Sequence, residues 1–263
     1  MYRIYEATAV NRTSLRVGGK IDRLTVAERP EEARPGVPVL GRGTNVLISD
    51  GGLHEAVMPA IRGIELTPDG VYAGAGEPIA QAARLAAAHG LTGLEWAAGI
   101  PGSVGGAVYG NAGAFGTAVS DVLVYCERND GTVNKLDAAD CGFSARSSRI
   151  DGIVTGACFD CRPGERDAIE AAMARYAAYR RDTQPRGATA GSTFKAADKP
   201  AGWYLERAGL KGERIGGASV SELHANFILT DDGATAADVY RLIRLMRTRV
   251  YETFGVLLEE EIV

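Results

Sequence analysis

The spacing of hydrophobic positions changes along the chain and divides it into two parts. In the first part, short apolar runs alternate with glycine and proline, a pattern typical of β-strands joined by tight turns. These strand-like runs lie at 37–40, 45–48, 56–58, 71–73, 122–125 and 153–155. The same part contains one predicted helix, Pro78 to His89, because this alanine-rich segment starts with proline and is followed by Gly90.

Helical spacing takes over after Pro163 and Gly164. A helix is predicted over 165–181, with an apolar stripe formed by Ile169, Met173, Tyr176 and Ala177. A second is predicted over about 236–253, with a stripe formed by Val239, Leu242, Ile243, Met246 and Val250. Thr235 with Asp238 favours a capped start, and Gly255 favours an end. We therefore expect a β-rich domain over 1–164 and an α/β domain over 165–263.

Composition narrows the class of protein. The chain has 263 residues, 29 Lys+Arg against 33 Asp+Glu, and a net charge of −4, so nucleic acid is not expected as a partner. No apolar run approaches the roughly 18 residues that a membrane span needs. The N-terminus lacks the basic-then-apolar layout of a signal peptide, which predicts a cytoplasmic protein without a membrane partner.

Cysteine and histidine give no sign of a metal site. Only Cys158 and Cys161 have ligand-like spacing, and a zinc ribbon needs a second close pair. The three histidines, His54, His89 and His224, are far apart in sequence. We expect no bound metal, and we expect the cysteines to be small buried hydrophobic residues.

Two glycine-rich segments carry the first candidate chemistry. Gly41–Asn45 lies between two strand-like runs, which excludes a Rossmann fingerprint because that motif must open a helix. Successive backbone N–H groups in such a turn still form an anion-binding nest. Gly99–Gly116 offers the same on a larger scale, with Ser103 and Asn111 as polar contacts. These segments favour a pyrophosphate-bearing nucleotide or dinucleotide over the alternative, two tight turns without a ligand.

Three further residues are ambiguous when only their surroundings are considered. Arg146 lies in a polar stretch, where it would be a solvated surface charge. Ser192 follows a basic loop, where it would cap a turn. Glu261 lies near the end of the chain, where an acidic triplet is usually solvated and frayed.

Several motifs in a fixed order change this interpretation. The two glycine segments, Gly191–Lys195 and His224–Ile228, together with 11–19 and 254–262, resemble the UDP-N-acetylenolpyruvoylglucosamine reductase family over nearly the whole chain. The resemblance implies an α+β fold, with an FAD-binding domain of the PCMH (vanillyl-alcohol-oxidase) type followed by a smaller α/β substrate-binding domain. It also implies that the chain end returns to the active site. Because the 182–200 region is short, the chain resembles the compact, second-type subgroup of this family.

The resemblance also implies a reaction in peptidoglycan precursor synthesis. NADPH reduces FAD, and hydride then passes to the enolpyruvyl double bond, giving UDP-N-acetylmuramate. By motif position, Ser192 resembles the proton donor. Arg146 and Glu261 resemble the pair that polarises the substrate carboxylate and stabilises the enol form. A monomer is expected, although the motifs do not encode the oligomeric state.

The same resemblance assigns binding residues. The expected FAD-binding residues are Gly41, Arg42, Gly43, Thr44, Asn45, Val46, Ile100, Pro101, Gly102, Ser103, Gly105, Gly106, Asn111, Ala112 and Gly113. The expected substrate-binding residues are Gln184, Lys195, His224 and Asn226.

The chain departs from the family pattern at two places. Ala145 stands where the family usually has tyrosine, and Ala196 stands where it usually has asparagine. Both positions belong to the substrate side. Two alternatives therefore stay open: a flavoenzyme of the same fold that acts on a different substrate, and a non-catalytic module that binds flavin or nucleotide.

Overall fold

The computed structural model describes residues 1–263, which form two compact units. The first unit contains residues 1–4, 23–42 and 55–180, and the second contains 5–22, 43–54 and 181–263. This division differs from a single boundary after residue 164. Met173 of the long helix packs against the core of the first unit, whereas Leu15, Val17 and Leu47 pack in the core of the second.

The chain alternates between short strands and helices, as expected of an α+β protein. The strands are β1 (Tyr2–Thr8), β2 (Lys20–Ala27), β3 (Leu53–Pro59), β4 (Ile64–Thr67), β5 (Gly70–Gly74), β6 (Leu91–Thr92), β7 (Gly113–Ala114), β8 (Thr117–Ala118), β9 (Leu123–Asn129), β10 (Val133–Asp137), β11 (Ile153–Phe159), β12 (Arg162–Pro163), β13 (Arg214–Ile215), β14 (Ala218–Val220) and β15 (Ile228–Thr230). The α-helices are α1 (Ala9–Arg12), α2 (Ile79–Ala88), α3 (Val104–Tyr109), α4 (Val119–Val122), α5 (Arg166–Thr183), α6 (Ala201–Arg207) and α7 (Ala236–Phe254). No helix is both long enough and apolar enough to cross a membrane.

The first unit is built on an antiparallel sheet with strand order β10-β9-β11-β5-β4. Every residue of its central strand, β11, is buried. That strand therefore lacks the alternation of a half-exposed strand, and an apolar run is its only local signal. Helix α2 confirms the prediction over 78–89: Pro78 precedes it, Gly90 follows it at φ +67°, and its alanine face is buried in the core.

The second unit contains a small antiparallel sheet, β13-β14-β15, and the helices α6 and α7. Helix α7 confirms its predicted start and end. The Thr235 hydroxyl accepts from the Asp238 N–H at 3.1 Å, and Gly255 ends the helix at φ +70°. All five residues of the predicted stripe are buried, so this face forms one side of the core.

Two predicted strands are wrong, and four helices, α1, α3, α4 and α6, were not predicted. Segment 37–40 makes only an isolated parallel bridge, Val39 to Val57, since Pro38 has no N–H to donate. Segment 45–48 is not a strand either, although the N–H of Leu47 bonds to the carbonyl of Val263 at 2.8 Å. Within 99–116 the chain forms α3, and the glycine content had favoured a loop.

Candidate active site

Arg146 lies at the tip of a tight turn in the first unit. Ser144 and Ser147 exchange two backbone hydrogen bonds, of 3.0 and 3.2 Å, which leaves Ala145 and Arg146 as the central residues. Arg146 has φ +55°, a left-handed conformation that turns of this kind usually reserve for glycine. Its Nη2 donates to the carbonyl oxygen of Gly113 at 2.7 Å. Arg146 is therefore a fixed, half-buried side chain and not a freely solvated surface charge.

Asn111 holds this turn in place. Its Nδ2 donates to the carbonyl of Ser144 at 2.9 Å, and its Oδ1 accepts from the N–H of Ser120 at 2.9 Å. Asn111 is buried and lies at φ +41°, which asparagine tolerates better than most residues. The side chain predicted to contact FAD is thus engaged with the protein, and its contact with a cofactor stays a prediction.

The predicted cofactor segments 41–42 and 99–106 meet in the first unit. The Nε of Arg42 donates to the carbonyl of Pro101 at 3.0 Å, and a Cβ on Gly41 would lie 2.8 Å from the Ser103 hydroxyl. That hydroxyl accepts from the N–H of Gly106 at 3.3 Å, so Ser103 caps α3. A side chain at position 41 would therefore have to displace this capping hydroxyl, which favours glycine there.

One buried hydroxyl group in this unit has no hydrogen-bond partner in the protein. The hydroxyl of Thr155 on β11 is fully buried and makes no hydrogen bond, whereas its carbonyl accepts from the N–H of Ala75 at 3.0 Å. A Cβ on Gly105 would lie 3.0 Å from that of Ala75, so the backbone approaches closely beside this strand. An unsatisfied buried hydroxyl costs about 1–3 kcal/mol, which a polar group of a bound ligand would offset. Sequence inspection missed Thr155; its signal was a lone hydroxyl in an otherwise apolar strand.

Ser192 begins a short extended segment of the second unit that is paired on both sides. On one side, Ser192 bridges to Phe227, and the Thr193 N–H donates to the Asn226 carbonyl at 2.8 Å. On the other side, the N–H of Glu261 donates to the carbonyl of Thr193 at 2.9 Å. The sequence places Ser192 and Glu261 nearly 70 positions apart, and the fold brings them onto neighbouring extended segments.

Glu261 is part of an ordered chain end. The Nδ2 of Asn45 donates to the carbonyl of Glu261 at 2.9 Å, and the Val263 N–H donates to the carbonyl of Asn45 at 3.1 Å. The chain end therefore lies between the Thr193 segment and the Asn45 segment, with hydrogen bonds to both. This pairing excludes the alternative in which Glu261 belongs to a frayed acidic tail.

The predicted substrate residues lie close to the Ser192 segment. The buried amide of Asn226 accepts from the Phe194 N–H at 3.0 Å and donates to the Phe194 carbonyl at 2.9 Å. His224 accepts from the N–H of Asn226 through Nδ1 at 3.2 Å, and burial lowers the pKa of its imidazole. Lys195 pairs with Glu259 at 2.5 Å, and Gln184 is half-buried just beyond α5. Asn226 thus has a structural task that the motif alone did not reveal.

The cysteines and the surface concavities lie apart from this chemistry. All four cysteines are buried free thiols, and burial raises the pKa of Cys126 and Cys161 to about 12. No group of three His, Cys, Asp or Glu side chains is placed to hold a metal ion. Two surface concavities have volumes of about 340 and 430 Å³, and none of the predicted site residues lines either of them.

Known proteins resemble both parts of the chain. The family model of an FAD binding domain matches residues 27–135, and the model described as UDP-N-acetylenolpyruvoylglucosamine reductase, C-terminal domain, matches 184–263. UDP-N-acetylenolpyruvoylglucosamine reductase of Synechococcus sp. is 43% identical and covers 95% of this chain and 87% of its own. The Acidiphilium cryptum protein of the same name is 46% identical over 87% of this chain and 77% of its own.

A solved structure agrees with these sequence matches. The crystal structure of UDP-N-acetylenolpyruvylglucosamine reductase (MurB) from Thermus caldophilus superposes with a TM-score of 0.85 at 33% identity. The match covers 100% of this chain and 97% of that one, so the likeness extends over the whole fold.

Proposed function

The chain belongs to the UDP-N-acetylenolpyruvoylglucosamine reductase family, and from this premise we propose that it reduces UDP-N-acetylenolpyruvoylglucosamine to UDP-N-acetylmuramate. The overall reaction consumes NADPH, one proton and the enolpyruvyl sugar nucleotide. The protein is an FAD-containing oxidoreductase that uses NADPH. Bound FAD would supply the hydride chemistry that connects NADPH with the β-carbon of the enolpyruvyl group.

The residues present fit an FAD cofactor. The segments 41–46 and 100–113 are the proposed holding elements, with their glycines giving close backbone approach. The unsatisfied hydroxyl of Thr155 supports this assignment, because a buried donor without a partner calls for a polar ligand atom. Ser103 and Asn111 are proposed to act through the backbone geometry that they fix, since their side chains already bond within the protein.

Ser192, Arg146 and Glu261 are the proposed catalytic residues. Ser192 donates the proton that reaches the α-carbon, and because serine alone is a poor acid, it requires a charged partner or a water for this role. Arg146 and Glu261 polarise the substrate carboxylate and stabilise the enol form of the intermediate. Lys195, His224, Asn226 and Gln184 are proposed to hold the sugar nucleotide, Asn226 by fixing the backbone of Phe194.

The turn at Arg146 is the observation that carries this proposal. A non-glycine residue at φ +55° stores about 1–2 kcal/mol of strain, and such strain is concentrated at functional sites. Glycine would form this turn without strain, which supports a role for the guanidinium itself. We also propose that the enzyme is a cytoplasmic monomer, as the sequence predicts.

Mixing the FAD-loaded protein with its reactants under anaerobic conditions tests the proposal. NADPH is added first, and the flavin absorbance is expected to bleach; the enolpyruvyl sugar nucleotide is then added, and the absorbance is expected to return rapidly. Bleaching without return would contradict the proposed substrate and favour the second candidate, a flavoenzyme for another acceptor. Ala145 and Ala196, both exposed, are the observation behind that candidate.

A further inference from the structure

The loop that carries Arg146 begins and ends in the core of the first unit. Cys141 and Ile150 are buried there, and the N–H of Arg149 donates to the carbonyl oxygen of Cys141 at 2.9 Å. Residues 142–148, the Arg146 loop, lie between these points and form no helix or strand. Contacts beyond the base of the loop must therefore set the position of its tip.

The side chain of Ser148 attaches this loop to the end of helix α3. Its hydroxyl donates to the carbonyl oxygen of Tyr109, the last residue of the helix, at 2.7 Å. The carbonyl groups in the last turn of a helix have no partner within the helix, so they accept from water or from side chains of other segments. Ser148 uses one of these carbonyl groups as a fixed point for the loop.

Helix capping alone does not explain this bond. The backbone already closes the end of α3, because the N–H of Ala112 donates to the carbonyl of Ala107 at 2.8 Å. Tyr109 is 55% exposed, so water would satisfy its carbonyl group if the serine hydroxyl were absent. The main effect of the hydroxyl is therefore on the loop that carries it.

A second contact attaches the same loop on the other side of Arg146. Asn111 donates from Nδ2 to the carbonyl oxygen of Ser144 at 2.9 Å. The two attached residues, Ser144 and Ser148, precede and follow Arg146 by two positions each. Arg146 lies at φ +55°, and such a strained conformation persists only where the surrounding structure fixes it. The two attachments meet this requirement together.

Ser148 differs from the other serines of the loop, Ser144 and Ser147, which close the turn through their backbones. We propose that Ser148 is a positioning residue for Arg146: its hydroxyl holds the loop on α3 and thereby places the guanidinium for the reaction. This inference rests on the proposed function, which gives Arg146 its catalytic role. Ser148 itself requires no contact with either reactant.

Ser148→Ala is the test variant, because it removes the hydroxyl and keeps the backbone. Loss of one neutral hydrogen bond is expected to slow recovery of the flavin absorbance at saturating sugar nucleotide by about 2- to 10-fold. Bleaching by NADPH is expected to be unchanged, since the proposed role of Arg146 concerns the sugar nucleotide. Ser148→Thr keeps the hydroxyl and is expected to restore the rate. Recovery at the wild-type rate in Ser148→Ala, or equal slowing of both half-reactions, would overturn the proposal.

Ser147→Ala is the matched control. It makes the same change one position away, in a residue that is half-buried like Ser148, and it keeps the backbone hydrogen bonds of the turn. It is expected to behave as the unmodified protein in both half-reactions. Slowing equal to that of Ser148→Ala would show that any change in the loop disturbs the reaction, which would overturn the specific role of Ser148.

A double-mutant cycle tests whether Ser148 acts through Arg146. If the hydroxyl only positions the guanidinium, Ser148→Ala has no further effect once Arg146 is replaced by alanine. The double variant is therefore expected to recover at the rate of Arg146→Ala. A further slowing of about 2- to 10-fold would show that Ser148 contributes independently of Arg146, and the proposal would be wrong.

Hydrogen exchange tests the loop without the reaction. The N–H groups at positions 144 and 147 close the turn, and they are expected to exchange about 2- to 10-fold faster in Ser148→Ala but at the wild-type rate in Ser147→Ala. If the unmodified protein bleaches but does not recover with the sugar nucleotide, the proposed function fails on its own. The exchange rates then decide whether Ser148 holds the loop. Unchanged exchange in Ser148→Ala overturns the proposal in either case.

Discussion

Arg146 donates from Nη2 to the carbonyl oxygen of Gly113 at 2.7 Å from a backbone conformation, φ +55°, that arginine rarely adopts. Ser144 and Ser147 close the turn around it with a pair of backbone hydrogen bonds. Glycine at position 146 would form the same turn without strain. We therefore infer that position 146 requires the guanidinium group, and that the backbone strain is tolerated for this reason.

Two replacements of Arg146 separate the effect of backbone strain on stability from the effect of the guanidinium on turnover. Arg146→Asn and Arg146→Ala both lose the guanidinium, so turnover is expected to fall by about 10²- to 10³-fold in each. Asparagine tolerates the left-handed region better than alanine, so Arg146→Asn is expected to be the more stable of the two by up to about 1 kcal/mol. Denaturant unfolding and steady-state turnover measure the two effects. Equal stability would contradict the strain argument, and normal turnover would contradict the catalytic role.

Ser192→Ala tests the proton donor. The variant is expected to bleach normally with NADPH, because the proposed role of Ser192 lies in the second half-reaction, in which the sugar nucleotide takes up hydride and a proton together. Recovery of the flavin absorbance with the sugar nucleotide is expected to slow by about 10²- to 10⁴-fold, the usual contribution of a positioned proton donor. The bleaching phase is the internal control. Recovery at the wild-type rate would show that another group supplies the proton.

The parts of the fold that the sequence predicted are those with local signals. Helix α7 carries its own cap, apolar stripe and terminal glycine, and all three confirmed the prediction. Helix α3 had no such stripe, because its sequence is mostly glycine, alanine and valine, and it forms against buried β11. Segment 45–48 failed as a strand for the opposite reason: it has apolar residues, but the partner that it meets is the chain end more than 200 positions away.

The candidate site was also predicted only as far as local sequence signals allow. Motif resemblance was needed to single out Arg146, Ser192 and Glu261, because each has an ordinary polar neighbourhood in sequence. No motif indicated that the Asn226 amide would clamp the backbone of Phe194, or that Thr155 would carry an unsatisfied hydroxyl. Both facts depend on pairing between segments that are far apart along the chain.

The stability of the first unit is expected to depend on pH through Glu32. Its carboxylate accepts from the Arg29 side chain, from backbone N–H groups and from the chain's amino terminus, and these contacts lower its pKa from 4.5 to about 2. Because the pKa of Glu32 is lower in the folded protein, the ionised carboxylate stabilises the fold. This stabilisation is complete above about pH 4.5 and is lost as the pH falls toward 2. Glu32→Gln is therefore expected to be destabilised at pH 7, with a deficit that shrinks on acidification.

Denaturant unfolding at several pH values measures this deficit. Glu31→Gln is the control, since it removes an exposed carboxylate from the same turn and is expected to leave the profile nearly unchanged. A deficit for Glu32→Gln that stays constant between pH 7 and pH 3 would show that the carboxylate does not act through its charge.

Two roles can be tested at Asn45: binding of FAD and positioning of Glu261. The family resemblance assigns it to FAD, yet its Nδ2 donates to the carbonyl of Glu261 and its own carbonyl accepts from Val263. Asn45→Ala removes the first bond and keeps the second, so the backbone of Glu261 is expected to lose its hydrogen bond from Asn45 and to keep the one to Thr193. Because a single neutral hydrogen bond contributes about 0.5–1.5 kcal/mol, flavin recovery with the sugar nucleotide should slow by about 2- to 10-fold. FAD affinity, measured by fluorescence titration, should change less than this.

Asn134→Ala is the control, because that amide bonds within its own hairpin to Asp130 and Thr132. A larger loss of FAD affinity than of recovery rate would assign Asn45 to the cofactor and contradict its role in positioning Glu261.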